Sequence, residues 1–585
     1  MMSSYVHQAL NITELVQNIC QHLEDDRPSL AVLARTSKAF HEPAVGSLWH
    51  HLPNLVPLVK CFPPDAWKVK HKVIGLTRTL HPADWATFLK YSMLVRELGT
   101  YQGRRPGIRD IELHDNVVKR LAGLRPILIL FPNVEKLNWL TMDLNAEALQ
   151  YLLSMLGDRL KTLLIRRWLQ GEKAERLLIE CLPLIASRSS TLRELRIAPG
   201  TADPGASITF SSFVSNLAAI HTLEANAIPI TAEAALALCG LPTLRRLSVW
   251  LADGAKWPSS GNTRVTSTTL TRVELCTTRG TYSAFSRTVF LPNIYELYLK
   301  LIGDPDPVPE LFNSIRRQCS PQTLHFIDVG TVVRGRLSVA SQRTTVVRSE
   351  DFRILFNFTE LTQFSFSAEC RHALDDALFV SMAEAWPKLF TLSVSCAAYC
   401  AYDTRPTFRA LIHLAVNAPN LSSLGIDFDA QSWEDFADWD EEREEYETPR
   451  DEFFGELWRR ASTSELRSLF VGTPPIQQAH TVAYMLARIF PDLERVDPDP
   501  MEDVEETLLH AHNRQRWYEV QRLLPLFGKM RRDERRRIRQ RIRNRENVEE
   551  SESDEEEVDF PFYGELSDDE FSMESPSEGD QDDFE

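Results

Sequence analysis

The sequence predicts an α/β solenoid, a parallel sheet laid down one short strand at a time with helical returns between the strands. Three observations predict it. First, the pattern apolar-x-x-apolar-x-apolar recurs thirteen times between residues 134 and 498, at a mean spacing of about 30 residues. Second, stretches between these matches carry apolar residues at i, i+3/i+4 and i+7, the period of a helix buried on one side. Third, X-Pro steps precede many of the matches by a few residues, and such steps end helices and feed extended chain.

Within one copy, the first apolar residue enters the core at the bend and the next two alternate inward with period two, as a short strand requires. The series runs VEKLNW (134–139), LKTLLI (160–165), LRELRI (192–197), IHTLEA (220–225), LRRLSV (244–249), LTRVEL (270–275) and IYELYL (294–299). It continues as LHFIDV (324–329), LTQFSF (361–366), LFTLSV (389–394), LSSLGI (421–426), LRSLFV (466–471) and LERVDP (493–498), with VRELGT (95–100) as a weaker early copy. The helical stretches include 146–157, 174–188, 231–240 and 373–386, and Gly240 stands where a left-handed cap would close the third. No copy buries its apolar edge alone, so stacking is what gives the array one continuous core. An ordinary α/β domain with a few chance matches is the alternative, and thirteen in series argue against it.

Ahead of the array, residues 9–52 read as three short helices. The first starts at Thr13 as N-cap and ends near Leu23, with Leu15, Ile19 and Leu23 on one face and Val16 beside them. A polar break with Pro28 follows, then a helix with Leu30, Leu33 and Ala34, then a segment from Glu42 with Val45, Leu48 and Trp49. So small a core needs a neighbour, either another protein or the first repeat. Residues 53–100 form a linker and cap, and 101–500 the array. Its widest gap holds an acidic excursion at 433–452.

The C-terminal end is polar. Residues 501–545 form a helical and then basic segment, with ten Lys or Arg from residue 529 onward. Residues 546–585 hold 19 Asp or Glu and no Lys or Arg, so the net charge of -17 leaves a body near +2. Segregated charge of this kind reads as disordered or loosely helical chain. The basic block fits a nuclear localisation signal or a solvated arm. No aromatic residue lies among 529–545, which argues against single-strand nucleic-acid binding. Ser553 and Ser567, each followed by acidic residues, fit an acidophilic kinase.

Composition excludes several functions. No apolar run approaches 18 residues, so no transmembrane helix is expected. The N-terminus lacks the pattern of a secretory signal. Nine cysteines scattered over 585 residues are too sparse for a disulfide scaffold and point to a reducing compartment, cytoplasm or nucleus. No HExxH, P-loop, GxSxG, GxGxxG or CxxC motif is present, so neither catalysis nor a metal or other cofactor is expected. Cys396 and Cys400, Cys370 with His372, and the pair His50-His51 all fit packing better than chemistry.

The repeats resemble leucine-rich repeats of the long, irregular kind, with copy lengths from 24 to 45 and the usual Asn or Cys after the strand mostly missing. The leading module resembles the F-box, on the residues ALNITELVQNICQHL, LAVLARTSKAFHEPA and SLWHHL. Thr13 stands where a Pro is usual, and Ser37-Lys38-Ala39-Phe40 replaces the common Cys-x-x-Trp-like step. The following Asp84, Trp85, Phe88, Tyr91, Val95, Arg96 and Leu98 fill a step seen in the divergent F-box proteins of mushroom-forming fungi. Together the resemblance spans roughly residues 9–500.

The resemblance implies a substrate-recruiting subunit of an SCF-type ubiquitin ligase. Ile12, Leu15, Ile19, Leu30, Leu33 and Trp49 then lie in or beneath a surface that docks a Skp-type adaptor, and through it a cullin. The alternative is a repeat scaffold with no ligase link, its first helices only capping the solenoid. In either case, a protein target is expected on the strand surface, where outward residues include Lys136, Arg166, Arg196, Arg246, Trp250, Arg272 and Tyr298. Arg and aromatic residues are favoured interface anchors, and together these give the first half of the array a moderately basic, aromatic-flecked target face.

Overall fold

The computed structural model describes residues 10–549 except 11, 100–110, 115, 140–145, 166–171, 189, 198–203, 255, 259–263, 304, 333–345, 369, 395–401, 432–437, 441–444, 448–459, 462–463, 473 and 499–507. Its chain divides into a large unit, Met1–Gly528, and a second beginning at Lys529.

Among its described residues, the large unit is organised by one parallel sheet of fifteen strands, each hydrogen-bonded to the next in chain order. They are β1 (His51–Leu52), β2 (Glu97–Leu98), β3 (Lys136–Asn138), β4 (Thr162–Ile165), β5 (Glu194–Ile197), β6 (Thr222–Ile230), β7 (Arg246–Leu251) and β8 (Arg272–Thr277). Then come β9 (Glu296–Leu301), β10 (Phe326–Thr331), β11 (Gln363–Ser367), β12 (Thr391–Val394), β13 (Ser423–Ile426), β14 (Ser468–Val471) and β15 (Arg495–Pro498). Every one of the thirteen matches, and the weaker VRELGT, supplies a strand at its expected place. β1 is an addition: His51-Leu52 pairs in register with Glu97-Leu98, so the sheet starts inside the leading module.

Register explains the sequence pattern. Leu52, Leu98, Leu137, Leu163, Leu195, Leu223, Leu247, Val273, Leu297, Ile327, Phe364, Leu392, Leu424, Leu469 and Val496 form one buried row across the sheet. Burying each such side chain contributes about 1.5–3 kcal/mol, but only once its neighbours are in place. Local sequence therefore sets each strand and stacking stabilises it.

Helices return the chain behind the sheet. Ala232–Cys239 is capped by the Thr231 hydroxyl, which accepts from the Ala234 amide. Gly240 closes this helix in the right-handed region, at φ -82°, and not as the left-handed cap the sequence suggested. Its amide reaches the carbonyls of Leu236 and Ala237 without reversing hand. The gap between β13 and β14 contains an antiparallel pair, Asp438–Asp440 with Glu445–Glu447. The last helix, Leu508–Glu549, includes the basic run, which is thus helical through residue 549. Its Trp517 is buried, with the indole N–H donating to the Pro474 carbonyl at 3.0 Å.

Three helices lead the described residues: α1 (Thr13–His22), α2 (Arg27–Thr36) and α3 (Lys38–His50). Their starts differ from the sequence expectation. Thr13 is the first helical residue of α1 and caps nothing. Pro28 sits in the first turn of α2, where its missing N–H costs no bond, and Asp26 caps that helix through Ser29. α3 begins at Lys38 and not near Glu42, because the Ser37 hydroxyl accepts from the Phe40 amide. The bundle has a core of its own, Val16, Cys20, Leu30, Ala34 and Ala44, distinct from the repeat core.

Candidate protein-interaction surfaces

On α1 the apolar stripe is wider than the bundle can cover. At 100° per residue, Val16, Cys20 and Leu23 point one way, and Ile12, Leu15 and Ile19 lie beside them on an adjacent strip. The first set packs into the bundle core, so Leu23 parts from Leu15 and Ile19, with which the four-residue spacing had grouped it. The second stays in solvent, with Ile12 48%, Leu15 44% and Ile19 39% exposed. α2 adds Val32, 53% exposed. Of the other residues assigned to adaptor docking, Leu30 is fully buried within the bundle and Leu33 is half-buried against the same core. Trp49 faces the repeats. Its ring lies flat on Tyr91 with centroids 4.3 Å apart.

The linker holds this arrangement. Arg27 donates to the carbonyls of His51 (2.9 Å) and Leu48 (3.1 Å). His51 Nε2 lies 2.8 Å from the Gly99 carbonyl. Asp84 receives Arg78 at 2.7 Å and the His81 amide at 2.8 Å, which holds its carboxyl down at about 2. Trp85, Phe88, Val95 and Leu98 are buried beneath. The residues that carry the linker resemblance thus join the first repeat to the bundle.

The outward face of the sheet differs from the basic surface expected. Lys136 pairs with Glu97 of the neighbouring strand at 2.6 Å. Arg196 lies between Glu194 (2.6 Å) and Glu224 (3.3 Å). Arg272 pairs with Glu296 at 2.7 Å, and Lys300 pairs with Glu274. Carboxylates of the same or the neighbouring strand stand beside these cations, so the face is a mixed-charge ladder. Each repeat shows its cations on its own, whereas the partner carboxylates come alongside only through in-register pairing.

An aromatic step interrupts the ladder. Arg272 sits over the Tyr298 ring, 4.4 Å from its centroid, and Tyr298 meets Phe326 at 4.5 Å. The Tyr298 hydroxyl donates to Glu296 Oε2 at 3.2 Å, and burial pushes its pKa up to about 12. Burial also raises the Asp328 carboxyl, in the next strand. Trp250 is only 8% exposed. A register shift sets it opposite Pro229 and leaves little of the indole at the surface. Arg246 is exposed. Arg166 lies outside the described residues, as do Cys396, Cys400, Ser553 and Ser567.

Among the described residues, no group of three or more His, Cys, Asp or Glu is placed to hold a metal ion. No helix there is long and apolar enough to cross a membrane. The described cysteines are all free thiols. Burial raises Cys61 to about 11 and Cys181 and Cys239 to about 12, which keeps them protonated and poorly nucleophilic.

The sequential parallel sheet with helical returns is that of a leucine-rich-repeat solenoid. No family model matches the chain, and no curated protein matches it. Among solved structures, it is similar to an internalin from Listeria monocytogenes at 11% identity, covering 66% of this chain and 80% of that one, TM-score 0.30. It is also similar to the Rad7 and Elc1 complex of yeast at 16% identity, covering 67% and 90%, TM-score 0.27. A third is the leucine-rich-repeat protein LegL7 of Legionella pneumophila, at 11% identity, covering 69% and 96%, TM-score 0.22. Superpositions this loose add nothing to the fold assignment, which rests on the strand order.

Proposed function

We propose that the chain is a non-catalytic recruiting subunit of an SCF-type ubiquitin ligase. In this reading α1 and α2 hold a Skp-type adaptor, which connects to a cullin, and the strand face holds a target protein. The chain's contribution is to keep the target's lysines close to a charged ubiquitin-conjugating enzyme, a gain in effective concentration.

The observation that carries this reading is the division of the α1 stripe. A bundle with a separate, small core leaves Ile12, Leu15 and Ile19 exposed in one strip, with Val32 exposed on α2. Clustered exposed apolar side chains of this kind mark interaction sites. The test is co-purification of a Skp-type adaptor with the full chain. Leu15→Asp with Ile19→Asp should abolish recovery while leaving the fold intact, because neither residue belongs to the bundle core. Failure of the unmodified chain to retain any Skp-type adaptor would sink the proposal.

A second reading is favoured by the Trp49–Tyr91 stack and by Arg27, which tie the bundle to the repeats. In that reading the helices only cap the array, and the protein is an interaction scaffold outside any ligase. The same double substitution would then change no binding partner.

A further inference from the structure

Just ahead of the strands, a row of residues continues the sheet's ladder. The His221 amide donates to the Arg193 carbonyl at 2.7 Å, the Arg245 amide to the His221 carbonyl at 2.9 Å, and the Thr271 amide to the Arg245 carbonyl at 2.9 Å. Arg193, His221 and Arg245 therefore stand side by side on the leading edge of β5, β6 and β7. Arg246 follows directly on β7, and its register partners, Thr222 and Arg272, carry no negative charge.

These arginines break the rule of the face. Lys136, Lys161, Arg196, Arg272 and Lys300 each have a carboxylate from an adjacent strand or their own. Arg193, Arg245 and Arg246 are exposed and form no ion pair with any described residue. The nearby carboxylates are already engaged: Glu135 by Lys161, and Glu194 and Glu224 by Arg196. Beyond Thr271 the edge turns aromatic, with Tyr295, 47% exposed, stacked on His325 at 4.3 Å.

We propose that Arg193, Arg245 and Arg246 form a docking site for an acidic, extended segment of a partner protein. The inference rests on the reading above that the strand surface holds a target, and it names the chemistry of what is held. Unpaired guanidinium forks match carboxylate geometry bidentately. Strands spaced about 4.8 Å apart put Arg193 and Arg245 about 10 Å apart at the backbone. A polyproline-II segment advances about 3.1 Å per residue with three residues per turn, so acidic residues at every third position share one face at nearly that spacing. The Tyr295–His325 stack gives an apolar side chain of such a segment a place to rest. A single-stranded nucleic acid is the competing polyanion. The mixed-charge ladder beside the patch disfavours it, because a phosphate backbone crossing the sheet meets Glu274, Glu296 and Asp328.

The test uses the full chain and a fluorescent peptide bearing Glu at every third position between Pro and Ser, read by anisotropy at low salt. Binding should weaken at least about tenfold in Arg193→Glu/Arg245→Glu/Arg246→Glu, and partly in the Gln series. It should stay within about twofold in Arg316→Glu/Arg353→Glu/Arg467→Glu, which reverses as many exposed charges elsewhere, likewise unpaired among the described residues. Adaptor recovery, measured on the same preparations, should be unchanged in both variants. Loss of peptide binding with adaptor retained is then separable from failure of the ligase reading. Thermal midpoints of the Gln series guard against misfolding. Equal binding by the Arg193/Arg245/Arg246 variants and the parent would overturn the proposal. Displacement of the peptide by a shorter oligonucleotide that binds more tightly through the same arginines would overturn it in favour of nucleic acid. Binding that emerges only when the Asp and Glu of 552–585 are changed to Asn and Gln would assign the patch to the chain's own tail and overturn the partner assignment.

Discussion

Trp49 at the end of α3 lies parallel to Tyr91, with ring centroids 4.3 Å apart and planes 9° from coplanar. This stack is where the leading bundle meets the repeats, together with Arg27 on the His51 and Leu48 carbonyls. Trp49→Ala should loosen the bundle from the array at a cost of about 1–3 kcal/mol, from the lost stack and the lost apolar contact. Hydrogen exchange should rise across residues 13–50 while protection of β6–β12 stays unchanged. Unaltered exchange in α1–α3 would show that the stack does not hold the bundle.

Arg188 is a buried structural cation, 5% exposed. Its guanidinium donates to the carbonyls of Leu156 (2.7 Å), Leu153 (3.0 Å) and Gly157 (3.0 Å), tying the end of the helix Ala146–Met155 to the next repeat. Arg188→Met fills similar volume but leaves those carbonyls without their donor. We expect a loss of about 3 kcal/mol, read as a lower urea midpoint. Arg188→Lys should recover little of it, since one ammonium cannot copy the planar fork.

Gly99 follows β2 at φ +92°, and a Cβ there would strike the carbonyl of Asn138. Gly99→Ala combines a left-handed penalty of about 1 kcal/mol with a backbone clash. The expected result is a repeat array that is intact from β4 onward but has lost protection in β1–β3. Proteolysis followed by mass mapping would distinguish this from global unfolding.

His372 is fully buried, and desolvation lowers its pKa to about 4. The unfolded chain, with an ordinary histidine value near 6.5, therefore binds a proton that the folded chain refuses. Stability attributable to this group is fully present above pH about 6.5 and is lost as pH falls from there toward 4, by about 3 kcal/mol. His372→Leu should flatten the urea-midpoint profile between pH 7 and 4.5. A profile as steep as the parent's would place the acid sensitivity elsewhere.

The repeat architecture was legible because its cause is local and recurrent. Leu163, Leu195 and Leu223 must face inward for any strand at those positions to be stable, so each copy of the pattern reports its own strand. β1 was hidden, since His51-Leu52 has no such pattern and pairs only because β2 is beside it. The hairpin of Trp67–Lys70 with Val73–Leu76 was missed as well. Its turn places His71 and Lys72 at positive φ, without the Gly or Asn that would announce it.

On α1, helical spacing alone puts Leu15 and Ile19 on one face with Val16 beside them, and it also groups Leu23 with them, although Leu23 packs on the Val16–Cys20 side. Which strip goes inside was decided by tertiary structure: α3 packs on the Val16–Cys20 side and leaves the other in water. The charges divide in the same way. The sequence presents Arg196, Arg246 and Arg272 alike, as outward cations of a strand, and does not single out Arg193 or Arg245. Only register separates them, because a carboxylate some thirty residues away arrives beside Arg196 and Arg272 and none arrives beside Arg193 or Arg245. Pairing across strands is a property of stacked repeats, and no single repeat contains it.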